Sequence, residues 1–269
     1  MADGTGGPNV HLEEMAFPFI GVTPRPSKPR ESGLTIVADR GYGTRRIADL
    51  IETAAAHVDW VKFAIGAWRV LRRDVLRRKI DMLHEAGIRV FLAGDASEAA
   101  YLQGVSDRYF QAVRDLGADG VEVSSAQVLM PTEHKLQLIS AAQRAGLLVV
   151  AEAGRKGSDP RPSMNGGIIE EIRTLQKAEP WRVLVQAEGI TEDVDSPRLD
   201  LISEIVSTFD LGALIFQAKD AAIQEIYMRR FGPEVSLDVE DDQAVALELL
   251  RRGIRKSALA GLSIDGSPR

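Results

Sequence analysis

From Gly33 onward the chain alternates between two patterns. Short runs rich in β-branched and apolar residues read as strands: Leu34–Asp39, Trp60–Ile65, Ile88–Ala93, Gly120–Ser124, Leu147–Glu152, Arg182–Ala187, Ala213–Gln217 and Val235–Asp238. Between them, apolar positions recur at helical spacing near 44–57, 74–86, 97–116, 132–145, 167–178, 197–208, 219–230 and 240–252. The strands are apolar on successive positions, so both of their faces are buried and the sheet is parallel and covered by helices. Several helices end on a glycine that supplies a left-handed cap before the next strand, as in Ala86-Gly87-Ile88, Leu116-Gly117-Ala118 and Ala145-Gly146-Leu147.

Eight such pairs in about 220 residues predict an α/β protein, a single (β/α)8 TIM-type barrel, rather than a doubly wound sheet. Gly41-Tyr42-Gly43 is only a fragment of a dinucleotide fingerprint, and no Walker A sequence appears. The domain reading is a Pro/Gly-rich N-terminal arm over 1–32, a barrel over 33–256 and a tail over 257–269. The apolar Ala16-Phe17-Pro18-Phe19-Ile20 patch of the arm either packs on the body or a neighbouring subunit, or belongs to a loose tail.

Charge narrows the partners. Of the 269 residues, 33 are Lys or Arg and 39 are Asp or Glu, a net charge of −6. That balance argues against a nucleic-acid partner, because duplex affinity rests on neutralising phosphates. There are no cysteines, which excludes thiolate metal sites and cysteine nucleophiles. No apolar run reaches the length of a membrane span, and Met1-Ala2-Asp3-Gly4 does not read as a signal peptide; the expectation is a cytoplasmic protein with no membrane partner.

Barrel enzymes place their chemistry at the C-terminal ends of the strands. Those ends offer Asp39 and Arg40, Lys62, Asp95, Glu122 and Ser124, Glu152 followed by Arg155 and Lys156, Gln186 and Glu188, Gln217 and Lys219, and Asp238. Asp39, Glu122 and Glu152 could share Mg2+, a hard cation that takes oxygen ligands. Arg40, Lys62, Arg155 and Lys156 could hold an anion, which implies a small phosphorylated or carboxylated substrate. The alternative is an ion-pair network in which these charges neutralise one another.

The run Gly33-Leu34-Thr35-Ile36-Val37-Ala38-Asp39-Arg40-Gly41 resembles the opening strand of phosphosulfolactate synthases. Further segments resemble the same family in order: Asp59-Trp60-Val61-Lys62-Phe63, Gly120-Val121-Glu122-Val123-Ser124, Glu152-Ala153-Gly154-Arg155-Lys156, Phe231-Gly232-Pro233-Glu234-Val235 and Leu249 to Arg255. The resemblance implies a barrel lyase that adds sulfite to phosphoenolpyruvate with Mg2+, through an aci-carboxylate intermediate, and a homo-oligomer. It implies Lys156 as the acid that protonates the phosphate-bearing carbon, with Lys62 and Glu122 as catalytic neighbours. Arg40, Asp95, Ser124, Arg155, Gln186 and Gln217 would line the substrate, and Asp39, Glu122 and Glu152 would hold the metal. The sequence also departs from the family. Asp-Lys-Gly becomes Asp39-Arg40-Gly41, Gly-Gly-Thr becomes Ala93-Gly94-Asp95, and acids on strands 6 and 7 become Gln186 and Gln217. These changes favour either a different small-acid substrate or a non-catalytic stress or interaction role, as in the family's plant heat-stress-associated members.

Lesser signals have ordinary explanations. The basic stretch Arg69, Arg72, Arg73, Arg77, Arg78 and Lys79 reads as a solvated helix face, and Arg251, Arg252, Arg255 and Lys256 as cations at a helix C-terminus. His11, His57, His84 and His134 fall away from strand ends, which disfavours a zinc site. Trp60 and Trp181 read as core, Trp68 as a pocket wall near the mouth, and Gly157–Gly167 as a lid or an insertion.

Overall fold

A computed structural model describes residues 16–154, 165–255 and 258–259. Its sheet is a closed parallel barrel in sequential order, β1 to β8, as the alternation predicts. The strands are β1 Thr35–Asp39, β2 Trp60–Phe63, β3 Arg89–Leu92, β4 Gly120–Val123, β5 Leu148–Ala153, β6 Arg182–Val185, β7 Leu214–Gln217 and β8 Leu237–Glu240. The helices outside it are α1 Thr44–Ala54, α2 Arg73–Glu85, α3 Gly94–Leu102, α4 Ser106–Leu116, α5 Thr132–Arg144, α6 Asn165–Gln176, α7 Leu199–Thr208, α8 Ala221–Phe231 and α9 Ala244–Arg251. The tail is not featureless, since Ile254–Arg255 and Ala258–Leu259 pair as antiparallel strands.

One expected helix is two. The pattern over 97–116 divides at Gly104, whose φ of +68° ends α3 with the Val105 N–H bonded back to the Ala100 carbonyl at 2.9 Å. Moreover, α3 starts at Gly94, directly at the end of β3, so Asp95 lies in a helical first turn rather than on a strand end.

Strand alternation sorts side chains into two layers. Val37, Val61, Phe63, Val121, Val149 and Val183 face the helices and join the main core with Ile47, Ile80, Ile139 and Ile172. Ile36, Trp60, Phe91, Val150, Leu184 and Ile215 face inward and form an apolar floor within the barrel. Trp60 stacks on Trp181 with ring centroids 4.6 Å apart, closing that floor.

The described part of the arm packs on the barrel's N-terminal end. Lys28 Nζ donates to the Ala55 and Val58 carbonyls at 3.0 and 2.6 Å, in the turn between α1 and β2. Arg30 bonds Asp59 at 2.9 Å and the Ala56 carbonyl at 2.7 Å. Arg25 is buried against Glu248, and Arg252 donates to the Thr23 carbonyl at 3.0 Å. Phe17, Phe19 and Ile20 stay exposed. Arg251 is not a solvated helix-end cation: it is buried and donates to the Leu34 and Val235 carbonyls at 3.0 and 2.8 Å.

Candidate active site

Side chains adjacent in a parallel ladder share a face, so the register identifies what points into the barrel. Lys62 pairs with Phe91, Glu122 with Val150, Glu152 with Leu184 and Asp238 with Ile36. Each partner belongs to the apolar floor, so these four polar side chains face the lumen. Gln217 pairs with Asp238 and joins them, and Gln186 follows two residues after Leu184 on the same face. All six are buried above the floor, toward the C-terminal ends of the strands.

Lys62 is the hub. Its ammonium bonds Asp238 and lies 3.7 Å from Glu122 Oε2. Burial alone would lower its pKa, but Asp238, Glu122 and Glu152 outweigh burial and raise it, so Lys62 remains an ammonium. Burial in turn raises the pKa of Asp238 despite the Lys62 charge. This arrangement suits electrostatic stabilisation of developing negative charge rather than proton abstraction by Lys62.

Asp39 does not join this group. It pairs with Phe63, a helix-facing residue, and its carboxylate meets the fully buried ammonium of Lys79 on α2. Its other oxygen accepts the N–H groups of Gly41 and Tyr42 at 2.8 and 3.1 Å. Among the described residues no group of three or more His, Asp or Glu side chains gathers as a metal site, and Asp39 lies on the opposite face from Glu122 and Glu152. Glu122 and Glu152 are what the lumen itself offers. They sit on adjacent strands, and among the described residues Glu122 Oε2 is a buried acceptor with no hydrogen-bond donor. Two carboxylates completed by water and substrate oxygens fit Mg2+, which rarely takes a full protein cage.

The remaining expected residues divide. Arg40 forms a bidentate pair with Glu240, with contacts of 2.7 and 2.5 Å. The Ser124 hydroxyl is donated to Glu98, and Asp95 Oδ2 accepts from Trp68 Nε1 at 3.2 Å. Gln217 Oε1 accepts the Ala187 N–H at 3.4 Å, while neither polar atom of Gln186 has a partner among the described residues. Arg155 and Lys156 lie outside the described residues, as does most of Gly157–Gly167.

Three buried ionisable residues that strand-end reasoning missed hold the mouth in place. Lys79 donates to the Tyr42 carbonyl at 2.8 Å besides meeting Asp39. Glu98 on α3 accepts the N–H groups of Ala126, Gln127 and Val128 at 2.9, 3.0 and 2.8 Å, fixing the loop after β4. Lys135 on α5 donates to the Glu152 carbonyl at 2.6 Å and to Ser125 and Glu171 at 3.0 Å each. Glu171 then accepts the Gly154 N–H at 3.2 Å. Beside the mouth, Arg69, Asp95, Glu98, Leu102, Gln127 and Val128 line a cleft of about 390 Å3.

The model of the family (2R)-phospho-3-sulfolactate synthase (ComA) matches residues 23–257. The chain belongs to the phosphosulfolactate synthase family. It is 30% identical to the phosphosulfolactate synthase of Methanothermobacter thermautotrophicus over 257 residues, covering 93% of this chain and 99% of that one. It is 29% identical to the Bacillus subtilis phosphosulfolactate synthase, covering 86% and 94%. Protein HEAT-STRESS-ASSOCIATED 32 of Arabidopsis thaliana is 26% identical, covering 84% and 88%. Among solved structures, 3-hexulose-6-phosphate synthase from Salmonella typhimurium shares the barrel with a TM-score of 0.58 at 11% identity, covering 82% of this chain and 100% of that one. Membership in the phosphosulfolactate synthase family supports an enzymatic role. No helix among the described residues is long and apolar enough to cross a membrane.

Proposed function

We propose that this chain is a lyase that adds sulfite, or another nucleophile, to phosphoenolpyruvate or a related enol acid. The observation that carries the reading is the buried Lys62 ammonium, held by Asp238 and Glu122 at the C-terminal end of a barrel of this family. In the reaction the sulfur lone pair bonds the methylene carbon, and the C=C electrons move into the carboxylate as an aci-carboxylate. A proton then reaches the carbon that bears the oxygen. Lys62, fixed as a cation, stabilises the negative charge that develops. Mg2+ bound by Glu122 and Glu152 would supply further Lewis-acid stabilisation. Lys156, the acid that the family resemblance implies, would deliver the proton. The site would take a small anionic substrate, in a cytoplasmic homo-oligomer.

The test is phosphorus NMR of the protein with Mg2+, phosphoenolpyruvate and sulfite, alongside Lys156→Ala. A new phosphate-ester resonance that the variant does not produce is expected. Unchanged phosphoenolpyruvate with the wild-type protein would remove sulfite addition to that acceptor.

A further inference from the structure

Buried polar side chains in folded proteins are nearly always hydrogen-bonded, and an exception calls for an explanation. Gln186 is such an exception. It is 1% exposed, and its amide nitrogen and oxygen are both buried without a partner among the described residues. Nearby amides are paired: Gln217 Oε1 accepts the Ala187 N–H, and Gln224 donates to the Ala218 carbonyl and to Gln243. The idle groups of Gln186 point into the lumen, since Leu184 is part of the floor and Val185 of the helix-facing core. The end of β5 runs tightly against it. A Cβ on Gly154, where φ is +110°, would stand 2.7 Å from the Gln186 Cβ, so glycine alone leaves this side chain room.

A carboxamide offers a donor and an acceptor side by side. A phosphoryl or carboxylate oxygen would satisfy the donor and leave the amide oxygen facing an anion. A hydroxyl satisfies both with one atom, accepting from Nε2 and donating to Oε1. The described charges of the lumen point the same way: three carboxylates, Glu122, Glu152 and Asp238, surround the one ammonium of Lys62, which favours a neutral hydroxyl over a further anion beside Gln186.

We propose that Gln186 sets the substrate class by receiving a free hydroxyl of a small acid. This rests on the proposed function's placement of the substrate in this lumen. It selects, among the related acids that reading allows beside phosphoenolpyruvate, a 2-hydroxy acid or its enol over the analogue that lacks the hydroxyl.

The experiment is isothermal titration of the full chain, with Mg2+, using two acids that differ by one hydroxyl: sulfolactate and 3-sulfopropanoate. A site built around a hydroxyl rejects the analogue that lacks it. The wild-type protein is expected to bind sulfolactate at least about tenfold more tightly, and Gln186→Ala and the near-isosteric Gln186→Leu should cut that preference to about threefold or less. Thermal melts of both variants confirm that they remain folded. Equal affinities in the wild type, no binding of either acid, or a preference that survives both substitutions would overturn the assignment. Phosphoenolpyruvate and sulfite turnover is measured on the same wild-type sample. Turnover without hydroxyl preference overturns the role of Gln186 and leaves the proposed reaction standing. Preference without turnover supports Gln186 and removes phosphoenolpyruvate as the acceptor.

Discussion

Lys79, fully buried on α2, meets the carboxylate of Asp39 at the end of β1 and also donates to the Tyr42 carbonyl at 2.8 Å. One ammonium thus fastens the first βα loop to the neighbouring helix. Removing one member of a buried ion pair strands the other, which typically costs about 3–5 kcal/mol. Lys79→Met should therefore lower the denaturation midpoint sharply, and Lys79→Met with Asp39→Asn should recover part of the loss. Urea unfolding of the two variants checks this; a double variant no more stable than the single would show that the pair does not act as a unit.

Glu98 supports the other side of the mouth, where its two oxygens collect three backbone N–H groups and the Ser124 hydroxyl. Glu98→Gln keeps the shape but turns an NH2 toward two of those donors. Leaving buried donors unmet costs about 1–3 kcal/mol each. Hydrogen exchange should accelerate at Ala126, Gln127 and Val128 well before the amides of β4. A uniform acceleration across the barrel would instead mean global destabilisation.

How far the site was legible in the sequence depends on which face a residue takes. The barrel follows from strands without polar alternation, and Lys62, Glu122, Glu152 and Asp238 were found because their strands end at the mouth. Strand-end position alone groups Asp39 with them, because it does not distinguish the two faces of β1. In fact Val37 faces the helices, and Asp39, two residues on, faces the same way. Lys79 was hidden in a run of arginines, yet a signal existed: Leu76, Lys79, Ile80 and Leu83 are all buried at helical spacing. Lys135 repeats that spacing with Leu138, Ile139 and Ala142. Glu98 carried no comparable mark, because its partners are backbone amides of a loop that adopts its path only in the fold.

The buried arm contacts make stability depend on acid. Burial lowers the pKa of His57 below 6.5, with Arg252 and Arg25 adding to that against Glu248. Burial would raise the pKa of Glu248, but Arg25, His57 and Arg252 outweigh it and hold it below 4.5. In both cases the unfolded chain binds protons at a higher pH than the folded one, so stability falls as pH falls. The loss begins near 6.5 for His57 and continues below 4.5 for Glu248. Melting temperatures between pH 8 and 2.5 should therefore decline in two stages, and His57→Gln should remove the first stage while the second persists. A first stage that persists in this variant would assign it to other groups.

Gly94 occupies the closest approach at the site. Its N–H donates to Glu122 Oε1 at 2.8 Å, and a Cβ there would stand 2.5 Å from the Ser124 Cβ and 2.9 Å from Glu122 Oε1. Gly94→Ala must displace Ser124, Glu122 or the start of α3, and such overpacking costs about 1–3 kcal/mol. Because Glu122 lies beside Lys62, a displacement of this kind should reduce turnover more than stability. Ser124→Gly removes the nearest obstacle, so Gly94→Ala combined with Ser124→Gly should regain activity relative to Gly94→Ala alone. The double-mutant cycle, read in both kcat and unfolding free energy, isolates the steric coupling. Additive effects in both readouts would show that the alanine is accommodated elsewhere and that Gly94 does not position Glu122.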